Sequence, residues 1–381
     1  MIQSASVFLQ VHVIVLATDP ASKAGGIATS LPGFLELLEE SGLHSSFVPT
    51  HASHKTNGKW KPFLHAIGAL RNEIREARMN GRRPVAWLHV GGPVSSLRKA
   101  LLAVLLRMHG VQVITQLHSA TVEAYLARPC RKRQFFASLA PSSMVVVLTP
   151  WWKRLLQEHG LRKPVVVLPN VLSLEAQGVA ARPQDGTTTQ TDVLSDCGLR
   201  VLAMSRMVRG KGFELVIEAL TFCDPSVTLD LAGDGPLRAD LERLAKDFGL
   251  QDRVRFHGWV DKEAKATVLR ACDVFCLPSS YDSFGMGFIE AMAYGRPVVA
   301  LEAGPTVEVV PHGRCGLLVP PGDPEAVGRA LERLRIDIVE RRSMGEAART
   351  WVQESYSQEA LKPRVQALFG ALIAPDNRHN S

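Results

Sequence analysis

Pro278-Ser279-Ser280-Tyr281-Asp282-Ser283-Phe284-Gly285-Met286-Gly287-Phe288-Ile289-Glu290-Ala291-Met292-Ala293-Tyr294-Gly295-Arg296-Pro297-Val298-Val299-Ala300 is the stretch that decides how this chain folds. Before it, the apolar run Ala271 to Leu277 reads as a short buried strand. Within it, Gly295-Arg296-Pro297 stops a helix, and Val298 to Leu301 reads as the next strand. Strand, glycine-rich loop, helix and strand make the repeating unit of a parallel α/β sheet. In such a unit the loop lies at the carboxyl end of the strand, and the free N–H groups that open the helix favour an anion such as a phosphate. Asp282 stands before those donors and Glu290 lies inside the helix, with seven residues between them. Two carboxylates therefore flank one phosphate-sized site; the bland alternative is a loop acid and a helix-surface charge.

Working outward, the chain has 381 residues of which 46% are apolar, enough for two globular domains of ordinary size. Six cysteines (Cys130, Cys197, Cys223, Cys272, Cys276 and Cys315) are scattered without Cys-x2-Cys or zinc-type His spacing, which points to reduced cytosolic thiols. The run Val13 to Ala17 lacks a basic segment before it, and Val11, Val13 and Val15 alternate as in a first strand, so it is not read as a targeting signal. No stretch approaches the roughly twenty apolar residues that span a bilayer. The expected location is the cytoplasm, either free or on the cytoplasmic face of the membrane.

Other strand ends carry further candidates. Gly25-Gly26 follows the first strand at a strand-to-helix turn that lets a ligand approach the backbone, although it does not complete Gly-x-Gly-x-x-Gly. Val85 to Val90 and Val111 to Thr115 read as strands, and His118 follows the second, either as a ligand group or as a structural hydrogen-bonding group. Met144 to Thr149 and Val165 to Leu168 are also strands. From Ser173 to Gly198 periodicity fades and polar residues dominate, as in a connection between domains. The second half restarts at the strand Arg200 to Met204, which leads into Arg206 and Lys211 on one loop. A bidentate guanidinium and a compact ammonium suit a pyrophosphate; a solvated basic turn is the alternative. Val227 to Ala232 and Val254 to Val260 are further strands, and Gly233-Asp234-Gly235-Pro236 reads as a turn without chemistry.

An acid, seven residues and Glu, with Glu-Ala-Met-Ala-x-Gly-x-Pro-Val-Val-Ala following, resembles the carboxyl-terminal signature of the retaining GT4-type glycosyltransferases (glycosyl transferases group 1). Arg206 and Lys211 match that family's diphosphate pair. The usual first acid is Glu, so Asp282 departs from the pattern by one methylene. The likeness is dense from about Arg200 to Leu334, where Glu308 and the strand Gly316 to Val319 also match, and before residue 170 it rests mainly on Gly25, Gly26 and His118. It implies an α/β GT-B fold of two Rossmann-like domains facing each other across a cleft. The amino-terminal, acceptor-side domain is placed at 1–172, the linker at 173–198, the donor domain at 199–354, and a helix crossing back to the first domain, then a tail, at 355–381.

The resemblance further implies transfer of a sugar, with retention, from a nucleotide diphospho-sugar to a glycan or lipid-linked acceptor in surface polysaccharide or glycolipid synthesis. In that reading Arg206, Lys211, Asp282 and His118 serve catalysis. Gly25, Gly26, Arg206, Lys211, Gly258, Val260, Ser283, Phe284, Gly285, Met286 and Glu290 hold the donor, with Glu290 on the ribose. No Asp-x-Asp occurs, so a metal-free reaction without a cofactor is expected. A GT-B epimerase or phosphorylase, or a nucleotide-sugar-binding protein without turnover, are the alternatives. No nucleic-acid recognition module accompanies the pI near 9.2. Residues 1–170 hold 20 Lys and Arg against 8 Asp and Glu, whereas 171–381 hold 24 against 29. Within the basic half, Arg128, Arg131, Lys132 and Arg133 beside Phe135, Phe136 and Leu139 suit anionic headgroups or, equally, a solvated basic face.

Overall fold

The computed structural model describes residues 10–19, 26–51, 61–181 and 198–373. The described residues up to Ser173, joined by those from Tyr356 onward, form one compact unit, and Leu174–Ser355 forms the other. The first unit is built on six strands: β1 (Val11–Thr18), β2 (His44–His51), β3 (Arg83–Val90), β4 (Gln112–Leu117), β5 (Met144–Val147) and β6 (Val165–Val167). The second contains β7 (Leu199–Met204), β8 (Val227–Ala232), β9 (Val254–Gly258), β10 (Val274–Cys276), β11 (Val298–Leu301) and β12 (Gly316–Val319).

Every pairing in both sheets is parallel. Parallel strands need crossovers, and the helices that supply them cover both faces of each sheet. That is why Val13, Ile14, Val15 and Leu16 are all buried, without the alternation of a half-exposed strand. The first sheet runs β2-β1-β3-β4-β5-β6 and the second β12-β11-β10-β7-β8-β9. The second is the doubly wound order of dinucleotide-binding domains, whose ligands sit beyond the carboxyl ends of the strands where the order reverses. Here the order reverses between β7 and β10, which carry the Arg206–Lys211 loop and the Asp282–Gly285 loop.

Three elements differ from the sequence reading or add to it. β2, His-Ser-Ser-Phe-Val-Pro-Thr-His, is a sheet edge that among the described residues pairs only with β1, and it is half-buried over much of its length, so it lacks an apolar run and tolerates Pro49. Leu174–Ala181, within the stretch read as connection, is a helix that buries Ala176 and Ala180 and packs on the helix Met286–Ala293. The helix Gln358–Ile373 belongs to the first unit: Leu361, Val365, Leu368, Phe369 and Leu372 enter the core that contains Val13, Val15 and Trp87. Their spacing of three to four residues is one helical stripe, and Phe369 meets Trp87 at 5.9 Å between ring centroids.

Candidate functional site

The loops that follow β7 and β10 are stitched together. Ser280 N donates to Gly210 O at 2.9 Å, and Ser279 Oγ donates to the same carbonyl at 3.2 Å. Gly212 permits this approach: its φ is 79°, and a Cβ there would fall 2.2 Å from Pro278 O. Lys211 Nζ then reaches across to donate to Tyr281 O at 2.9 Å and to Asp282 Oδ1 at 2.7 Å. Asp282 Oδ2 is buried and has no hydrogen-bond partner among the described residues. A buried carboxylate oxygen without a donor is costly, and it can accept from a hydroxyl brought by a ligand.

Arg206 is exposed on the same loop as Lys211. That loop is held from below by the end of β8, where Ser205 N donates to Ala232 O at 3.1 Å and Met207 N to Asp234 O at 2.9 Å. A Cβ on Gly233 would lie 1.9 Å from Ser205 O, and one on Gly235 2.4 Å from Met207 O. Gly233-Asp234-Gly235 is therefore more than a turn, because its missing side chains let β8 support the backbone that presents Arg206. Gly233 N also donates to Gly258 O at 2.7 Å, which ties in the end of β9. Beyond Gly258, Trp259 is exposed and Val260 half-buried.

Gly285 caps the helix Met286–Ala293 at φ 87°, and Phe284 is buried, so this loop offers a ligand its backbone and the Ser283 and Met286 side of the turn. Glu290, on the next turn, is only 6% exposed. Its Oε1 accepts from Lys265 Nζ at 2.7 Å, from the helix Lys262–Ala271. Lys265 supplies the counter-charge that a buried carboxylate requires. The sequence reading missed it, and no local motif marks it, because the pair spans 25 residues.

In the first unit, Gly26 opens the helix Gly26–Glu40, while Gly25 lies outside the described residues. His118 follows β4, and its Nε2 shares a hydrogen bond of 2.9 Å with His89 Nδ1 at the end of β3. The two rings stack with centroids 5.0 Å apart. Beneath them, buried Lys99 donates to His89 O and, at 3.5 Å, to Leu16 O. Burial, with the nearby Arg98 charge, pulls Lys99 down to about 7. Burial and the Lys99 charge push His118 down to about 3, and burial, His118 and Lys99 hold His89 well below its ordinary value. Both imidazoles are thus neutral near pH 7, one donating to the other. Lys99 was legible in principle: Lys99, Leu102, Ala103 and Leu106 share the i, i+3, i+4, i+7 face that meets the core.

The basic and aromatic cluster needs a correction. Phe135 and Leu139 are buried in the first unit's core, so their side chains are not offered to a surface alongside Arg131, Lys132 and Arg133, and Phe136 is half-buried against the same core.

Two units of parallel α/β sheet, the second with a basic loop and an acidic loop at its switch point, place this chain among the doubly wound α/β proteins. Residues 196–351 match the family Glycosyl transferases group 1. The lipopolysaccharide core biosynthesis glycosyltransferase LpsE of Rhizobium meliloti is 37% identical over 161 residues, 42% of this chain and 46% of LpsE. LpsD of the same organism is 30% identical over 230 residues, 60% of this chain and 64% of LpsD. The matches thus span about half to two thirds of those relatives' length. Anabaena Alr3699/HepE, solved in complex with UDP and glucose, superposes with a TM-score of 0.70 at 18% identity, covering 95% of this chain and 100% of HepE. That likeness establishes the GT-B fold expected from the motifs.

Proposed function

We propose that this protein transfers a sugar from a nucleotide diphospho-sugar to a glycan or lipid-linked acceptor, in the synthesis of a surface polysaccharide or glycolipid. The observation that supports this best is the joining of Lys211 to Asp282 at the point where the second sheet reverses its strand order. UDP bound to HepE and the biosynthetic role in the names of LpsE and LpsD support the donor class and the pathway class.

In this reading Arg206 and Lys211 offset the charge that develops on the leaving diphosphate, which a preorganised cation does best where water is excluded. The N–H groups at the start of the helix Met286–Ala293 add to that stabilisation. Glu290 accepts from the ribose hydroxyls through the capacity its bond to Lys265 leaves open. Asp282 Oδ2 accepts from a hydroxyl of the transferred sugar. His118, neutral, acts by hydrogen bonding and not as a cation. The reaction retains the anomeric configuration and draws its electrostatic stabilisation from these side chains without a divalent metal.

A thermal-shift screen across nucleotide sugars tests the donor, because a ligand that binds only the native state raises its melting temperature. The responding donor, incubated with acceptor extracts, should release its nucleoside diphosphate and yield an α-configured product from an α-configured donor. A donor epimerised without an acceptor would replace this reading with the epimerase.

A further inference from the structure

We infer that the first unit docks on a bilayer rich in anionic phospholipid through the outward face of the helix Pro93–Met108. The inference deepens the proposed function, in that it rests on the lipid-linked form of the acceptor. On this helix Leu97, Leu101, Val104 and Met108 are all exposed, at steps of i, i+4, i+7 and i+11. At 100° per residue they fall within about 60° of one another, opposite the buried stripe that includes Leu102 and Leu106. Met108 is 78% exposed, and Met79, at the end of the helix Lys61–Met79, is 79% exposed. A row of large apolar side chains kept in water points to an apolar partner.

The charges beside the row select the partner. Arg98 and Arg107 fall about 100° and 80° to either side of it on the same helix. On the helix Lys61–Met79, Arg71, Arg75 and Arg78 form a second stripe, and with His109 they line a cavity of about 450 Å³ that also admits Met79. Glu76 falls about 140° round that helix from Arg71, and Glu73 faces His12 at 3.4 Å. Against the other flank packs the helix Pro129–Leu139, with Arg131 and Arg133 exposed. Between Glu76 and Glu158 the chain carries twelve Lys and Arg and one acid, Glu123. Apolar side chains in a field of arginines suit acyl chains below and phosphate headgroups around them, since guanidinium pairs bidentately with phosphate. A second copy of the chain would instead bring the same cations face to face.

The test is co-sedimentation with vesicles of phosphatidylcholine alone and of phosphatidylcholine with 30% phosphatidylglycerol, at about 0.1 M and 0.5 M salt. Wild type should bind the anionic vesicles, weakly at high salt, and the neutral ones little. Arg71→Ser/Arg75→Ser/Arg78→Ser should lower partitioning roughly 100-fold and flatten the salt dependence. Leu101→Glu/Met108→Glu should lose binding by roughly tenfold or more at both salt concentrations. Equal binding of wild type to both vesicle types, or a double variant that binds like wild type, would overturn the inference. So would a wild type that binds neither vesicle but loses a dimer when Leu101 and Met108 are replaced, which would make the face a contact between copies. A nucleotide-induced melting shift, measured on each variant, reports folding separately. Its absence in wild type that still binds vesicles would sink the transferase reading and leave the docking face intact.

Discussion

Lys211 Nζ donates to Asp282 Oδ1 across 2.7 Å, closing two loops that lie 71 residues apart in the chain. The contact places a cation between the acid assigned to the sugar and the loop assigned to the diphosphate. Lys211→Ala should therefore lower turnover by about 10²-fold, the order found when a charge-stabilising group is removed. Folded variant with wild-type turnover would remove Lys211 from the mechanism. A chelator added to wild type should leave the rate unchanged, and a large loss would mean that a divalent metal takes part.

Asp282 and Glu290 should separate in binding. Each is paired with its own lysine, Asp282 with Lys211 and Glu290 with Lys265, and each is assigned to a different part of the donor. Glu290→Ala should weaken binding of the free nucleoside diphosphate in calorimetry, by roughly 1.5–3 kcal/mol for a lost charge-assisted contact. Asp282→Ala should leave that binding nearly intact and abolish transfer. Equal losses in both variants would end the division of roles.

Much of the second unit was legible because its information is local. The runs Val227–Ala232, Val298–Leu301 and Gly316–Val319 become strands with those bounds, and glycine and proline mark where each crossover turns. What escaped reading is carried by distance in sequence. The bond from Lys265 to Glu290, the pair of His89 with His118, and the support that Gly233 gives Ser205 depend on which strand ends become neighbours, which strand order decides. The aromatic side of the Arg131–Leu139 cluster was misplaced for a related reason. Phe135 and Leu139 are four residues apart, a core spacing, and the helix turns them inward while its arginines stay outside.

Lys99 should make stability rise with pH. Burial lowers it to about 7 from the 10.5 of the unfolded chain, so between those values the unfolded state binds more protons and unfolding becomes harder as pH increases. Below about 7 the ammonium is charged in both states and its burial cost is complete. Lys99→Met should stabilise the protein by roughly 1–2 kcal/mol at pH 6, with the gain shrinking toward pH 10, where the neutral amine and methionine differ mainly by the hydrogen bonds to His89 O and Leu16 O. Urea titrations at both pH values check this, and a gain that does not change with pH would remove Lys99 as its source.

His118 should act in the opposite range. Its ring is pushed down to about 3 by burial and by Lys99, against 6.5 in the unfolded chain. Above 6.5 both states hold it neutral and the full stabilisation is present; as pH falls toward 3 the unfolded chain takes up the proton first and stability is lost. His89 is lowered by the same causes and by His118 itself, so the stacked pair forms one acid-sensitive joint between β3 and β4. Carboxylates elsewhere also titrate in this range, so the informative quantity is the difference between variants. His118→Asn keeps a donor and an acceptor facing His89 Nδ1 but cannot be protonated, and it should lose less stability than wild type between pH 7 and pH 4.5, by on the order of 1–3 kcal/mol. The same variant measured at pH 7 should bind the nucleoside diphosphate normally while transferring sugar more slowly, since its change lies in the first unit. Parallel stability curves for the two proteins would show that His118 is not held neutral by the fold.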